Sequence, residues 1–82
     1  MTEVVKKILT VDDDPDILKL MGMRLKAAGY QVVTATNAEE ALSQIAISRP
    51  SLVITDLRMP GMDGLALFDV IHKSDPSLPV IM

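Results

Sequence analysis

The residues in this sequence that could do chemistry are acidic, and they fall where apolar strands end. The run Leu52-Val53-Ile54-Thr55 is apolar and β-branched, the pattern of a strand buried on both faces, and it stops at Asp56. Ile8-Leu9-Thr10-Val11 reads the same way and leaves through Asp12-Asp13-Asp14. Open parallel sheets bind ligands just outside the carboxyl ends of their strands, at the point where the strand order reverses. In a doubly wound sheet of strand order 2-1-3-4-5 the first and third strands are neighbours at that point, which would set Asp12 and Asp13 beside Asp56. Three carboxylates in one crevice repel one another and raise each other's pKa unless a cation neutralises them. Oxygen donors without His or Cys indicate a hard cation. A site held partly by protein and partly by water suits Mg²⁺ better than a closed Ca²⁺ cage. Such an ion leaves positions open to phosphoryl oxygens.

The elements that must position these carboxylates are legible in order. Asp14-Pro15 starts a first helix, because the Asp side chain caps free amides and Pro at the first helical position has none to waste. Leu18, Met21, Leu25 and Ala28 give it an apolar stripe, and Gly29 ends it, so the helix is predicted over Pro15 to Ala28. Tyr30 to Ala35 is a second strand. Asn37 with Glu40 three residues later resembles a capping box for a second helix, on which Ala38, Ala41, Leu42, Ile45 and Ala46 keep helical period and which ends near Ser48. Arg49-Pro50 blocks its continuation, since the residue before proline is pushed out of the helical region. Beyond Asp56, Pro60, Gly61 and Gly64 punctuate a loop, with Asp63 as cap of a third helix and Gly64 letting the backbone come close. Leu65, Phe68 and Ile71, with Leu67 beside them, mark that helix, which stops before Asp75-Pro76. Leu78 to Met82 then reads as a fourth strand. Strands alternating with helices at this spacing predict βαβ units, a parallel sheet and right-handed crossovers, with three helices covering the two faces incompletely.

Composition sets the outer limits. The 82 residues are 49% hydrophobic and 23% charged with only two aromatics, which describes one small α/β domain with an aliphatic core. A net charge of −3, with Lys and Arg scattered, argues against direct nucleic-acid binding and favours a cationic partner. No apolar run approaches the roughly 20 residues of a membrane span, and the segment after Lys6 and Lys7 is too short for a signal-peptide core. The absence of Cys fits a reducing compartment, so the expected location is the cytoplasm. His72, the single histidine, falls late in the third helix as a surface or dipole-facing residue, and Met21, Met23, Met59 and Met62 read as core or loop filler.

The segments Ile8-Leu9-Thr10-Val11-Asp12-Asp13-Asp14-Pro15, Thr55-Asp56-Leu57-Arg58-Met59-Pro60-Gly61-Met62-Asp63-Gly64 and Leu78-Pro79-Val80-Ile81 occur in this order and at this spacing. Together they resemble the receiver domain of two-component response regulators across the whole chain. The resemblance implies a flavodoxin-like doubly wound parallel sheet, of which residues 1–82 are the N-terminal part of a single receiver domain. It implies that Asp56 is the phosphoacceptor. Asp13 is implied as a direct Mg²⁺ ligand, Asp12 as one acting largely through water, and the backbone carbonyl of Arg58 as the remaining protein ligand. The implied partners are a sensor histidine kinase or histidine phosphotransfer protein, and an output domain or another receiver chain. The Asp-Leu-Arg-Met-Pro-Gly-Met-Asp-Gly wording is similar to receivers that precede AAA+ transcription activators, so the implied output is transcriptional.

Receivers also carry a Ser or Thr at the end of strand four, a fifth strand ending in Lys, and a fifth helix. This sequence has none of these, and an isolated chain of this length is expected to aggregate, dimerise or swap segments through an edge bearing Val80 and Ile81. Two other functions are weighed. Mg²⁺-dependent phosphatases of the haloacid-dehalogenase type also form an aspartyl phosphate, but they resemble Asp-x-Asp at the nucleophile, and Arg58 stands in the second acidic position here. A phosphorylation-incompetent fragment acting only in assembly is the other. The Arg58 side chain is expected to influence how fast water reaches an aspartyl phosphate.

Overall fold

A computed structural model describes residues 6–82; of the charged segment Glu3 to Lys7 expected to lead into the first strand, Glu3 to Val5 lie outside the described residues. The elements are β1 (Lys7–Val11), α1 (Pro15–Ala27), β2 (Gln31–Ala35), α2 (Ala38–Ser48), β3 (Leu52–Thr55), α3 (Gly64–Ser74) and β4 (Val80–Ile81). The four strands form one parallel sheet in the order β2-β1-β3-β4, the reversal of order falling between β1 and β3. Register pairs Leu9 with Val53 and Val11 with Thr55, so both strands reach their carboxyl ends level with each other.

Strand alternation sorts the two faces. Leu9, Val11, Ala35 and Val53 point to one side, where Ala38 and Ala41 of α2 and Leu67 and Ile71 of α3 complete a buried cluster with Met59 and Leu78. Residues of the other parity meet α1. Leu18 is buried there, and Gly22 lies so near β2 that a Cβ added to it would be 3.9 Å from Val32. The same face over β3 is less covered: Leu52 and Ile54 are half-buried and line, with Ile8, Leu25, Tyr30 and Pro79, a cavity of about 420 Å³.

The predicted caps form. Asp14 accepts from the Asp16 amide at 2.9 Å and Asp63 from the Ala66 amide at 2.9 Å. Asn37 accepts from the Glu40 amide at 2.8 Å, but the returning Glu40 carboxylate takes the Thr36 amide rather than that of Asn37. Helix α1 closes at Ala28, which is exposed instead of joining the predicted apolar stripe, through amide bonds from Gly29 to Lys26 and from Tyr30 to Leu25. Tyr30 is thereby spent on the helix end, and β2 starts one residue later than predicted.

Three further expectations are corrected. The buried face of α3 is Gly64, Leu67 and Ile71, while Leu65 is 55% exposed, because the helix is apolar on more than one side and its spacing alone does not select one. Strand four is confined to Val80–Ile81: the Leu78 amide closes a turn onto Asp75, and Pro79 has no amide, contributing only its carbonyl to Val53. Of the four methionines expected as core or loop filler, Met59 is buried and Met62 packs on the core, whereas Met23 is 62% exposed. His72 is exposed in the last turn of α3, as its position predicts, and its ring stacks on Phe68.

Candidate functional site

The carboxyl ends of β1 and β3 place three acidic side chains together. One carboxylate oxygen from each of Asp12, Asp13 and Asp56 lies within 4.8 Å of the other two. Backbone pairing accounts for this. The Asp56 amide donates to the Val11 carbonyl at 2.9 Å and the Asp12 amide to the Ala35 carbonyl at 3.1 Å, so each strand is held up to the amide of the residue that carries its carboxylate. Asp12 is buried and accepts from the Asp14 amide at 2.9 Å, which turns the chain into α1 and leaves Asp13 exposed at the crevice mouth. Asp56 is accessible from solvent.

Electrostatics follow the geometry. Burial raises the Asp12 pKa above its ordinary 3.8, the Asp14 amide pulls the other way, and the neighbouring carboxylates of Asp56 and Asp13 raise it further. A buried acid crowded by two others is the environment a cation relieves. The donor set fits Mg²⁺: all oxygen, with two of the three carboxylates open to water and hence to an ion that keeps part of its hydration shell.

Arg58 lies two residues past Asp56 on the exposed loop, where Leu57 to Pro60, with Asp63 and Leu65, line a shallow depression of about 490 Å³. The carbonyl of Arg58 is assigned to the metal by the resemblance alone.

Two residues shape the site without having been read as part of it. The Thr55 hydroxyl, on a buried side chain, donates to the Asp56 carbonyl at 3.1 Å. Gly64 opens α3 directly against the same peptide and donates its amide to the Leu57 carbonyl at 3.0 Å. A glycine at the first position of a helix is the visible signal for close approach, but which backbone it approaches depends on the path of the whole loop.

The transcriptional regulatory protein GlrR of Escherichia coli is 51% identical over 75 residues, covering 92% of this chain and 17% of that protein. The C4-dicarboxylate transport transcriptional regulatory protein DctD of Rhizobium meliloti is 45% identical over 75 residues, covering 92% and 16%. The chain thus spans about a sixth of the length of these curated relatives. Among solved structures, the response regulator TrrA of Thermotoga maritima in complex with Mg²⁺-BeF superposes with a TM-score of 0.91 at 40% identity, covering 95% of this chain and 68% of that one. TrrA in complex with the histidine kinase ThkA gives a TM-score of 0.87 at 39% identity, covering 93% and 66%. The family model for the response regulator receiver domain matches residues 8–82, and the chain belongs to that family.

Proposed function

We propose that residues 1–82 are the N-terminal part of a single receiver domain in which Asp56 accepts a phosphoryl group from a phosphohistidine. The convergence of Asp12, Asp13 and Asp56 within 4.8 Å at the switch point carries this reading. Asp56 supplies the nucleophile: a carboxylate oxygen forms the new bond to phosphorus while the P–N bond of the donor breaks and its electron pair returns to the imidazole. Asp13 and Asp12, with the Arg58 carbonyl, would hold Mg²⁺ beside it. When bound, that ion orients the incoming oxygens and offsets their charge in a loose transition state. The chain's own part is to keep Asp56 accessible, to hold Asp12 by the Asp14 amide, and to fix both strand ends in register.

The donor is a sensor histidine kinase or histidine phosphotransfer protein, a reading supported by the complex of the related TrrA with a histidine kinase. The output is transcriptional, in keeping with the names of the relatives, and the chain acts as a regulatory phosphoacceptor that modifies only itself. We assign it to the cytoplasm, where such kinases present their phosphohistidine; among the described residues no helix is long and apolar enough to cross a membrane. Intact-mass spectrometry after incubation with Mg²⁺ and acetyl phosphate tests the proposal. A single phosphoryl adduct, lost in Asp56→Asn and in chelator, is expected. Its absence from the unsubstituted chain overturns the reading in favour of an assembly role.

A further inference from the structure

We infer that Gly64 and Thr55 are positioning residues that clamp the Asp56–Leu57 peptide from two sides and thereby fix where the Asp56 carboxylate stands relative to Asp12 and Asp13. The inference rests on the reading of Asp56 as a Mg²⁺-bound phosphoacceptor. Three hydrogen bonds and one close backbone approach define the clamp. The Asp56 amide is held by the Val11 carbonyl at 2.9 Å, and the Asp56 carbonyl accepts the Thr55 hydroxyl at 3.1 Å. The Leu57 carbonyl accepts the Gly64 amide at 3.0 Å. A Cβ built on Gly64 would strike the Asp56 carbonyl oxygen and stand 3.0 Å from the Leu57 Cα and 3.2 Å from the Asp56 carbonyl carbon.

The atoms in the way are all backbone, so none can swing aside as a flexible side chain would. Any residue larger than glycine must push the Asp56–Leu57 peptide or lift the start of α3. The first outcome moves the acceptor itself. The second breaks the bond from Gly64 to Leu57 and releases the segment that leads to Arg58. The backbone of Gly64 is ordinary, and it is space that demands glycine there. Gly61, in the same loop, is the converse: its φ is +78° and a Cβ added to it would meet nothing within 4 Å. Substituting Gly61 strains the loop without pressing on Asp56. The two glycines therefore separate loss of loop stability from loss of acceptor position.

Positioning groups behind a metal ligand typically change metal affinity by about 10–100-fold when altered. Mg²⁺ titration by calorimetry is the assay, with the rate of adduct formation from acetyl phosphate at saturating Mg²⁺ as a second readout. Gly64→Ala, where folded by circular dichroism, is expected to lose about 10-fold or more in affinity and to react more slowly even when saturated. Gly61→Ala is expected to stay within about 2-fold of the unsubstituted chain, below that range. A folded Gly64→Ala with unchanged affinity, or an equal loss in Gly61→Ala, overturns the inference. Should Gly64→Ala not fold, the Thr55 pair decides: Thr55→Val is expected to weaken binding and Thr55→Ser, which keeps the hydroxyl, to restore it. Unchanged affinity in Thr55→Val then overturns the clamp. If the unsubstituted chain binds no Mg²⁺, the phosphoacceptor reading falls and the clamp with it, whereas binding that survives every substitution removes the clamp alone.

Discussion

Replacing Asp56 by Asn should stabilise the protein when no cation is present and weaken its response to Mg²⁺. The cluster holds three carboxylates with oxygens within 4.8 Å of one another, and the substitution ends two of the three repulsions. At that separation each pair is worth about 1 kcal/mol at the dielectric of water and about 3.5 kcal/mol at an effective value of 20. Asp13 and Asp56 are both open to solvent, which places the pairs near the lower figure, so the expected gain is about 1–2 kcal/mol in total. In a domain of this size each kcal/mol moves the melting temperature by about 4–8 °C. The assay is urea denaturation at pH 7 and low ionic strength in chelator, repeated with Mg²⁺. Without cation Asp56→Asn should unfold at higher urea. With Mg²⁺ the ordering should narrow or reverse, because only the chain with the full ligand set gains strongly from binding. Added monovalent salt should shrink the difference seen in chelator. A substitution that is neutral or destabilising without cation, or equal stabilisation of both chains by Mg²⁺, would mean that Asp56 neither repels its neighbours nor shares a cation with them.

Asp12→Asn tests the buried corner through pH. Its pKa is raised in the folded chain above 3.8, so the native state holds its proton more tightly than the unfolded one. The carboxyl therefore imposes no cost below 3.8 and an increasing one as pH climbs through the raised value. In chelator, Asp12→Asn should match the unsubstituted chain at acid pH and become progressively more stable than it towards neutrality. A difference that is independent of pH in paired urea titrations would contradict this. Arg49→Gly addresses the end of α2, where Arg49 adopts φ 50° and ψ 63° while its amide bonds to Ile45. Relief of a left-handed conformation at about 1–2 kcal/mol, less about 0.5–1 for glycine's greater freedom when unfolded, should leave a net gain of roughly 0.5–1 kcal/mol. Thermal denaturation showing a loss would mean that the Arg49 side chain makes a compensating contribution.

The parts of the fold that could be read beforehand are those fixed by short-range chemistry. Asp14, Asn37 and Asp63 announce helix starts because each satisfies amides two or three residues away, and all three do so. Val11 and Thr55 are the last strand residues because each apolar run terminates at a carboxylate, and the parallel sheet follows from alternating strands and helices, while its order β2-β1-β3-β4 is the one the receiver resemblance implies. What was not legible depends on where distant segments meet. Leu65 and Leu67 are equally apolar, and only docking of α3 on the sheet decides that Leu67 is buried. Pro50 signals that Arg49 leaves the helical region, but not that it does so through a left-handed residue. Strand four looked longer because Leu78 is apolar and buried, yet its burial comes from a turn closed on Asp75 rather than from sheet pairing. At the site, the carboxylates were visible as residue types at strand ends. The support beneath them was not: contact between Gly64 and Asp56 spans a loop whose course depends on Met59 and Met62 packing into the core.

On the proposed reading Asp56, and none of its acidic neighbours, takes the phosphoryl group in a Mg²⁺-dependent reaction. Reductive trapping with borohydride after treatment with acetyl phosphate, followed by peptide mapping, tests it most directly because an aspartyl phosphate is converted to homoserine at the residue that carried it. Homoserine at Asp56 alone, formed with Mg²⁺ and lost in chelator, is the predicted result. Homoserine at Asp12, Asp13 or Asp63, or none at any position with Mg²⁺ present, would contradict it.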